Sequence, residues 1–377
     1  MDQRREALVV WARHCLEDMT GHSPVVGEVE VVSGDASFRR YFRLRFERAL
    51  ECDHELVSAS KRQFLRQSQF VLVDAPPAHE DSEQFVRVAN LFRTAGVLTP
   101  RVLEVDLDRG FMLLQDFGDD LYLPALQAGL EVDTLYRAAM ASLVHLQSQG
   151  DTTGLPAYDR ALLRRELNLF NDWFCERFLE LVLNEEERAL IERTWTFLED
   201  AALSQAQVCV HRDYHSRNLM LLSPDAEQNP DRAPGVIDFQ DAVVGANTYD
   251  LVSLLRDCYI VWPEQRVRAW ALEFREMALA VGLVKNDTEH DERSFLRDFD
   301  LMGLQRHLKV IGIFARLNLR DGKSRYMADI PLVIDYVLQV APQHPEMAEF
   351  VQWFENKILP FATPKLQAFI AQQGAAP

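Results

Sequence analysis

The segment His211-Arg212-Asp213-Tyr214-His215-Ser216-Arg217-Asn218 places a carboxylate and a carboxamide five residues apart, in a polar loop that follows the apolar run Val208-Cys209-Val210. About 20 residues further on, Ile237-Asp238-Phe239 adds a second carboxylate at the end of another apolar run. These residue types at this spacing suit phosphoryl transfer. Asp213 would meet an acceptor hydroxyl as the catalytic carboxylate. Asn218 and Asp238 would hold Mg²⁺, a hard cation that takes oxygen ligands and keeps waters and phosphate oxygens in its shell. An isolated His-x-Asp is commonly a surface turn, and an isolated Asp-Phe carries almost no information. The weight lies in four positions, His211, Asp213, Asn218 and Asp238, occurring in the right order in a strand–loop–strand context.

The elements that must position these residues can be read from periodicity. Residues 2–19 carry apolar positions at helical spacing (Leu8, Trp11, Ala12, Cys15, Leu16, Met19), which predicts a leading helix. Strand-like runs follow at Val25–Val32, Tyr41–Phe46 and Phe70–Asp74, the last closed by Pro76-Pro77. A polar insert at about 48–68 separates the second run from the third and is too long for a tight hairpin loop. A helix over 81–95 stops at Gly96, and two more strands follow at Arg101–Val105 and Phe111–Gln115. Beyond about residue 120 the pattern changes to long amphipathic helices over 131–149, 159–182, 185–204, 264–282, 292–319, 329–340 and 345–371. Short β-type runs at 208–211 and 236–239 interrupt them. The expected fold class is α+β with two lobes: a β-rich N-terminal lobe over 1–117 and a helical lobe over 118–377 that carries the polar loop.

His-Arg-Asp-Tyr-His-x-x-Asn at 211–218, Ile-Asp-Phe-Gln-Asp-Ala-Val-Val-Gly at 237–245 and Thr248-Tyr249-Asp250-Leu251 together resemble the aminoglycoside phosphotransferase and choline kinase superfamily. Further segments are similar to the bacterial anomeric N-acetylmuramate/N-acetylglucosamine kinases. They are Ser33–Arg43, Val73-Asp74-Ala75-Pro76-Pro77, Leu113–Asp119, Gln305–Leu317 and Arg320-Asp321-Gly322-Lys323, so the resemblance spans nearly the whole chain. It implies a bilobal protein-kinase-like fold, ATP and Mg²⁺ as cofactors, and phosphorylation of the C1 hydroxyl of a cell-wall amino sugar in recycling. It also implies site roles. Ser33, Gly34, Asp35, Ala36 and Ser37 form a phosphate loop, and Gln115, Asp116 and Phe117 fall at the hinge that meets the adenine. Asp116-Phe117-Gly118 imitates a metal-binding triplet but precedes the catalytic loop, whereas the metal carboxylate must follow it. His211 and Asp250 would brace the loop.

One departure stands out. The third strand lacks the Lys or Arg that usually holds the α/β-phosphates against a Glu on the next helix, so Glu83 is left without its usual partner. Arg43, or Arg39 or Arg40, is the candidate replacement. On the sugar side the resemblance points to Tyr158-Asp159-Arg160, Glu166 and Asn168, with His215 and Asp257 as further candidates. A lactyl carboxylate would call for a cation, for which Arg256, Arg306 and Lys309 are candidates. For each single charged residue a solvated helix face is the plainer reading, and His307 reads equally well as a packed core histidine.

The chain has 377 residues and a net charge of −18, which argues against nucleic-acid or membrane-surface partners. Its five scattered cysteines include no Cys-x-x-Cys pair, so a disulfide framework or zinc site is not expected and a reducing, cytoplasmic setting is. The N-terminal stretch lacks a signal-peptide core, and no run approaches the roughly 18 apolar residues that span a bilayer. Nothing in the sequence points to an oligomer. Two alternatives stay open: the same fold acting on an aminoglycoside, choline or another amino alcohol, and a nucleotide-binding partner module without catalysis. Asp213, Asn218 and Asp238 weigh against the second, because a binding module needs no catalytic base.

Overall fold

Alternating apolar residues build the first sheet, since side chains two apart on a strand share a face. Phe42, Leu44 and Phe46, then Phe70 and Leu72, then Phe111 and Leu113 all enter one core, together with Leu8, Ala12 and Leu16 of the leading helix. In the computed structural model, which describes residues 2–21, 26–34, 38–50, 67–222, 232–285 and 291–374, helix α1 is Gln3–Thr20. Strands β1 (Val26–Gly34), β2 (Arg40–Phe46) and β3 (Gln69–Asp74) precede helix α2 (Ser82–Thr94), which is followed by β4 (Val102–Asp106) and β5 (Phe111–Gln115). The sheet is antiparallel with order β1-β2-β3-β5-β4. Residues 35–37 of the expected phosphate loop and 51–66 of the expected insert lie outside the described residues.

This sheet belongs to a unit made of Met1–Asp120 with Met220–Pro230 and Pro234–Gln240. The later segment is tied in by Val236, whose N–H donates to the Leu98 carbonyl at 2.7 Å. Phe239 adds ring contacts at 4.9 Å to Phe85 and 5.9 Å to Phe92, both on α2. Of the 236–239 run only Val236 is strand, as part of the two-residue strand Gly235–Val236. The chain leaves extended geometry at Asp238, which has φ +64°, a left-handed conformation that no strand continues through.

The second unit comprises Leu121–Leu219, Asp231–Ala233 and Asp241–Pro377. Its axis is the 30-residue helix Glu292–Asp321, which ends at Gly322 with φ +66° and an N–H to Asn318 O. Helices Arg160–Leu169, Glu185–Ser204, Tyr249–Leu255 and Ile330–Val340 pack around it. The expected single helix over 159–182 is α-helical only to Leu169 and continues as a π-helical segment, Phe170–Phe178. The expected 345–371 helix is likewise divided, into Pro345–Met347, Ala348–Trp353, Phe354–Ile358 and Leu359–Gly374. Apolar spacing marks a buried face but does not resolve one extra residue in a turn. Periodicity also passed over the short helices Tyr122–Gln127 and Tyr249–Leu255 and the strand Val243–Ala246, which pairs antiparallel with Gln207–Val210.

The described cysteines, Cys15, Cys175, Cys209 and Cys258, are free thiols. No helix among the described residues is long and apolar enough to cross a membrane.

Two stability predictions follow from how the long helix is packed. A Cβ on Gly312 would lie 2.3–2.5 Å from the backbone of Leu169 and Phe170. Gly312→Ala should therefore cost about 1–3 kcal/mol through overpacking, seen as a drop of several degrees in Tm; an unchanged Tm would show that the helices slide apart freely. His307 is fully buried, stacked 4.7 Å from Tyr336, with Nε2 donating to the Arg256 carbonyl at 3.2 Å. Burial pushes its pKa down to about 3, from an ordinary 6.5. With the folded value below the unfolded one, its contribution to stability is complete above about pH 6.5 and drains as pH falls towards 3. His307→Gln should flatten the fall of Tm between about pH 6 and 4 relative to wild type, and parallel curves would contradict this.

Candidate active site

The loop begins where strand Gln207–Val210 ends, so its first residue is anchored by the pairing of Val210 with Val243. His211 is fully buried and its Nδ1 accepts the Asp213 N–H at 3.2 Å. Asp250, on the first turn of Tyr249–Leu255, accepts the N–H groups of His211 at 2.6 Å and Arg212 at 3.0 Å. Burial pushes the Asp250 carboxyl up to about 7, against these two donors, which favour the ion. Arg212 itself has φ +79°, a costly conformation for a side-chain-bearing residue that persists where its surroundings over-determine it. The far side of the loop is fixed by Asp257, which accepts the Ser216 N–H at 3.0 Å and the Ser216 hydroxyl. Tyr214 donates to the Ala139 carbonyl at 2.9 Å.

This bracing brings Asp213 and Asn218 together. Asn218 Nδ2 donates to the Asp213 backbone carbonyl at 3.0 Å. With the nitrogen so engaged, the amide presents its oxygen on the other side, and an oxygen is the donor a hard cation takes. The Asp213 side chain keeps 46% of its exposure, with Arg306 Nη1 at 3.9 Å from Oδ1. Burial alone would raise its pKa, but Arg306, Lys309, His215 and Arg212 outweigh it and hold the carboxyl down at about 2.

Behind Asp213 lies a buried charge cluster. Glu166, 6% exposed, receives Arg212 Nη2 at 2.5 Å, Lys309 Nζ at 3.0 Å and the Tyr158 hydroxyl. Burial pushes the Glu166 carboxyl up, yet Lys309 and Arg212 bring the net shift below its ordinary value. Tyr249 is the hub, its hydroxyl accepting from Lys309 at 2.8 Å and Arg306 at 3.3 Å. Arg306 also donates to the Arg212 carbonyl at 3.2 Å. Asn168 Oδ1 and His215 Nδ1 are buried polar atoms without a hydrogen-bond partner among the described residues. Arg256 is placed elsewhere. It is fully buried, with Nη2 2.8 Å from both Asp300 and Glu264, so the cation sought for a substrate carboxylate is committed to the interior. Asp257 is likewise engaged in holding Ser216.

In the first unit, Asp238 Oδ1 accepts from Gln240 Nε2 at 2.9 Å, on a backbone turned by its own positive φ. The three candidate arginines have distinct fates. Arg40 bridges Asp2 and the fully buried Asp74, which also takes Arg4 Nε at 2.9 Å. Arg43 is buried against Asp116 at 2.5 Å, Asp119 at 2.7 Å and the Gly118 carbonyl at 3.0 Å. It therefore fastens the 116–119 stretch that follows Gln115. Arg39, 8% exposed, pairs with Glu80 at 2.8 Å. Glu83 stands exposed on the first turn of α2, so the carboxylate that meets a cation is Glu80, three residues earlier. Ser33 and Gly34 close β1.

Sequence reasoning did not single out Glu80 or the Tyr249 hydroxyl, and it missed the pairing of Arg212 with Glu166. One signal was present: Arg306 and Lys309 lie three apart in a helix whose flanking turns are apolar (Leu301, Met302, Leu304, then Val310, Ile311, Ile313, Phe314). Buried cations require acid partners.

A profile of the phosphotransferase enzyme family matches residues 28–283. A protein of Pseudomonas aeruginosa named N-acetylmuramate/N-acetylglucosamine kinase is 42% identical over 354 residues, covering 92% of this chain and 95% of that one. One of the same name from Neisseria meningitidis is 39% identical, covering 85% and 88%. Among solved structures, an ADP-bound aminoglycoside phosphotransferase superposes with TM-score 0.52 at 14% identity, covering 82% of this chain and 93% of that one. An ethanolamine kinase of Plasmodium vivax gives 0.55 at 10% identity, covering 82% and 81%. At such identities these structures speak for the fold alone, which is the α+β, protein-kinase-like fold of the aminoglycoside phosphotransferases. The chain belongs to the phosphotransferase enzyme family, and its activity is that of an ATP-dependent kinase.

Proposed function

We propose that this protein transfers the γ-phosphoryl group of ATP to the anomeric hydroxyl of N-acetylmuramate and N-acetylglucosamine, in the recycling of cell-wall sugars. The observation that carries the choice of acceptor is the charge around Asp213. Arg212, Arg306 and Lys309 make ion pairs with two carboxylates, Asp213 and Glu166, while burial pushes the third acid near them, Asp250, up to about 7 and so towards its neutral form. A cationic aminoglycoside or choline needs the opposite balance. A neutral or acidic sugar suits this one, and the names of the relatives point to the same acceptors.

In this reading Asp213 orients the sugar hydroxyl and accepts its proton as the phosphoryl group moves. A hemiacetal hydroxyl is more acidic than an ordinary alcohol, so a carboxylate suffices as base. Asp250, His211 and Asp257 keep the loop rigid, so that positioning costs nothing at the moment of reaction. Asn218 and Asp238 would each give an oxygen to Mg²⁺, which when bound neutralises charge on the phosphate oxygens. Gln115, Asp116 and Phe117 would meet the adenine with their backbone, and residues 33–37 would cover the phosphates. Arg39, held by Glu80, replaces the missing third-strand cation. Asn168 and His215 offer polar groups to the sugar.

Mixing the protein with ATP, Mg²⁺ and either sugar should release ADP and give a ³¹P resonance of an anomeric phosphate. Asp213→Asn should lower kcat by about 10²–10⁴-fold. ATP binding without turnover of either sugar would end the reading. Arg39→Ala should raise the KM for ATP about tenfold or more, the loss expected for a charge-assisted phosphate contact, and leave the sugar KM unchanged. An unaltered ATP KM would remove Arg39 from the phosphate site.

A further inference from the structure

Arg306, Lys309, Arg316 and Arg320 occupy positions i, i+3, i+10 and i+14 of the helix Glu292–Asp321. At 100° per residue they fall within an arc of about 80°, a cationic ridge along one side of the helix. Three of the four have an acid partner: Arg306 faces Asp213 at 3.9 Å, Lys309 faces Glu166 at 3.0 Å and Arg320 pairs with Asp321 at 2.7 Å. Arg316 does not. It is half-buried, its Nε is shielded from solvent, and it makes no ion pair or hydrogen bond among the described residues. Burial and the neighbouring Arg320 both disfavour its charge, and among the described residues Asp321 and Glu166 act on it from a distance in its favour. A guanidinium keeps its proton, and the Nη groups, which are not shielded as Nε is, are left to water or to an anion that enters.

The location suits an acceptor. Arg316 lies two turns, about 10 Å along the axis, beyond Lys309 on the same face. Helical side chains lean towards the N-terminus, which carries its guanidinium back towards Lys309, Arg306 and the Asp213 carboxylate they surround. A sugar whose reacting hydroxyl meets Asp213 would therefore extend its far substituents along this ridge. Of the cations considered for a substrate carboxylate, Arg256 is taken by Asp300 and Glu264, Lys309 by Glu166, and Arg306 by Asp213. The fork of a guanidinium matches a carboxylate in two parallel hydrogen bonds.

Resting on the reading of the protein as an amino-sugar kinase, we propose that Arg316 receives the carboxylate of an acidic acceptor sugar, and so sets the preference for N-acetylmuramate over N-acetylglucosamine, which lacks that group.

The test is steady-state kinetics of the full chain with both sugars, for wild type, Arg316→Gln and Arg316→Lys, with Tm confirming that each variant is folded. Arg316→Gln should raise the KM for N-acetylmuramate about 10- to 100-fold, the value of a charge-assisted contact. Its KM for N-acetylglucosamine should change far less, and Arg316→Lys should recover part of the loss. Equal losses on both sugars, or an unchanged N-acetylmuramate KM, would overturn the assignment while leaving the sugar-kinase reading intact. Wild type turning over N-acetylglucosamine but not N-acetylmuramate would do the same. If it phosphorylates neither sugar, both fall together.

Discussion

In the proposed reading Asp213 meets the substrate from backbone that cannot relax away from it, and the restraint comes from two acids in one stretch of chain. Asp250 takes the N–H groups of His211 and Arg212, and Asp257 takes both donors of Ser216. Between these clamps the backbone passes through the positive φ of Arg212 before presenting Asp213. Remove either clamp and buried N–H groups lose their acceptors, so the loop would have to move to find water. The exposure left to Asp213 thus depends on two acids that are themselves buried beneath the loop.

The same economy governs the charges behind the loop. Glu166 and Lys309 are each more than nine-tenths buried, which neither could be alone. Tyr158 and Tyr249 add hydrogen bonds, so the cluster is a network rather than a set of isolated pairs, although Arg212 Nε and Arg306 Nε stay buried without a partner among the described residues. In the proposed reading the charges of this cluster would bear on what approaches Asp213, which would link packing on the long helix to the choice of acceptor.

In the first unit, arginine chemistry is divided by neighbourhood. Asp74 ends β3 fully buried, on the strand that in related architectures carries the cation, and is held by Arg4 and Arg40. Asp116 captures Arg43 in a bidentate pair. What distinguishes Arg39 is its partner, a carboxylate two residues before α2, close to the element that in related architectures supplies the acid.

The sequence by itself determined what is local. The five-residue spacing of Asp213 and Asn218, the alternation of Phe42, Leu44 and Phe46, and the apolar face of Phe85, Val88 and Phe92 all follow from the repeat of a strand, a helix or a short loop. Each needs only neighbouring residues to be read. Tertiary structure alone decided which acid meets which base: Arg306 and Asp213 are 93 positions apart, and Arg43 and Asp116 are 73 apart. It also decided that the strand stops at Val236, short of Asp238 with its positive φ, and that the chain widens into a π-helical turn at Phe170, against which Gly312 packs. The physical reason is the same throughout. A buried charge or a close backbone approach takes its free energy from whatever the fold brings opposite it, and no periodicity along the chain records that partner.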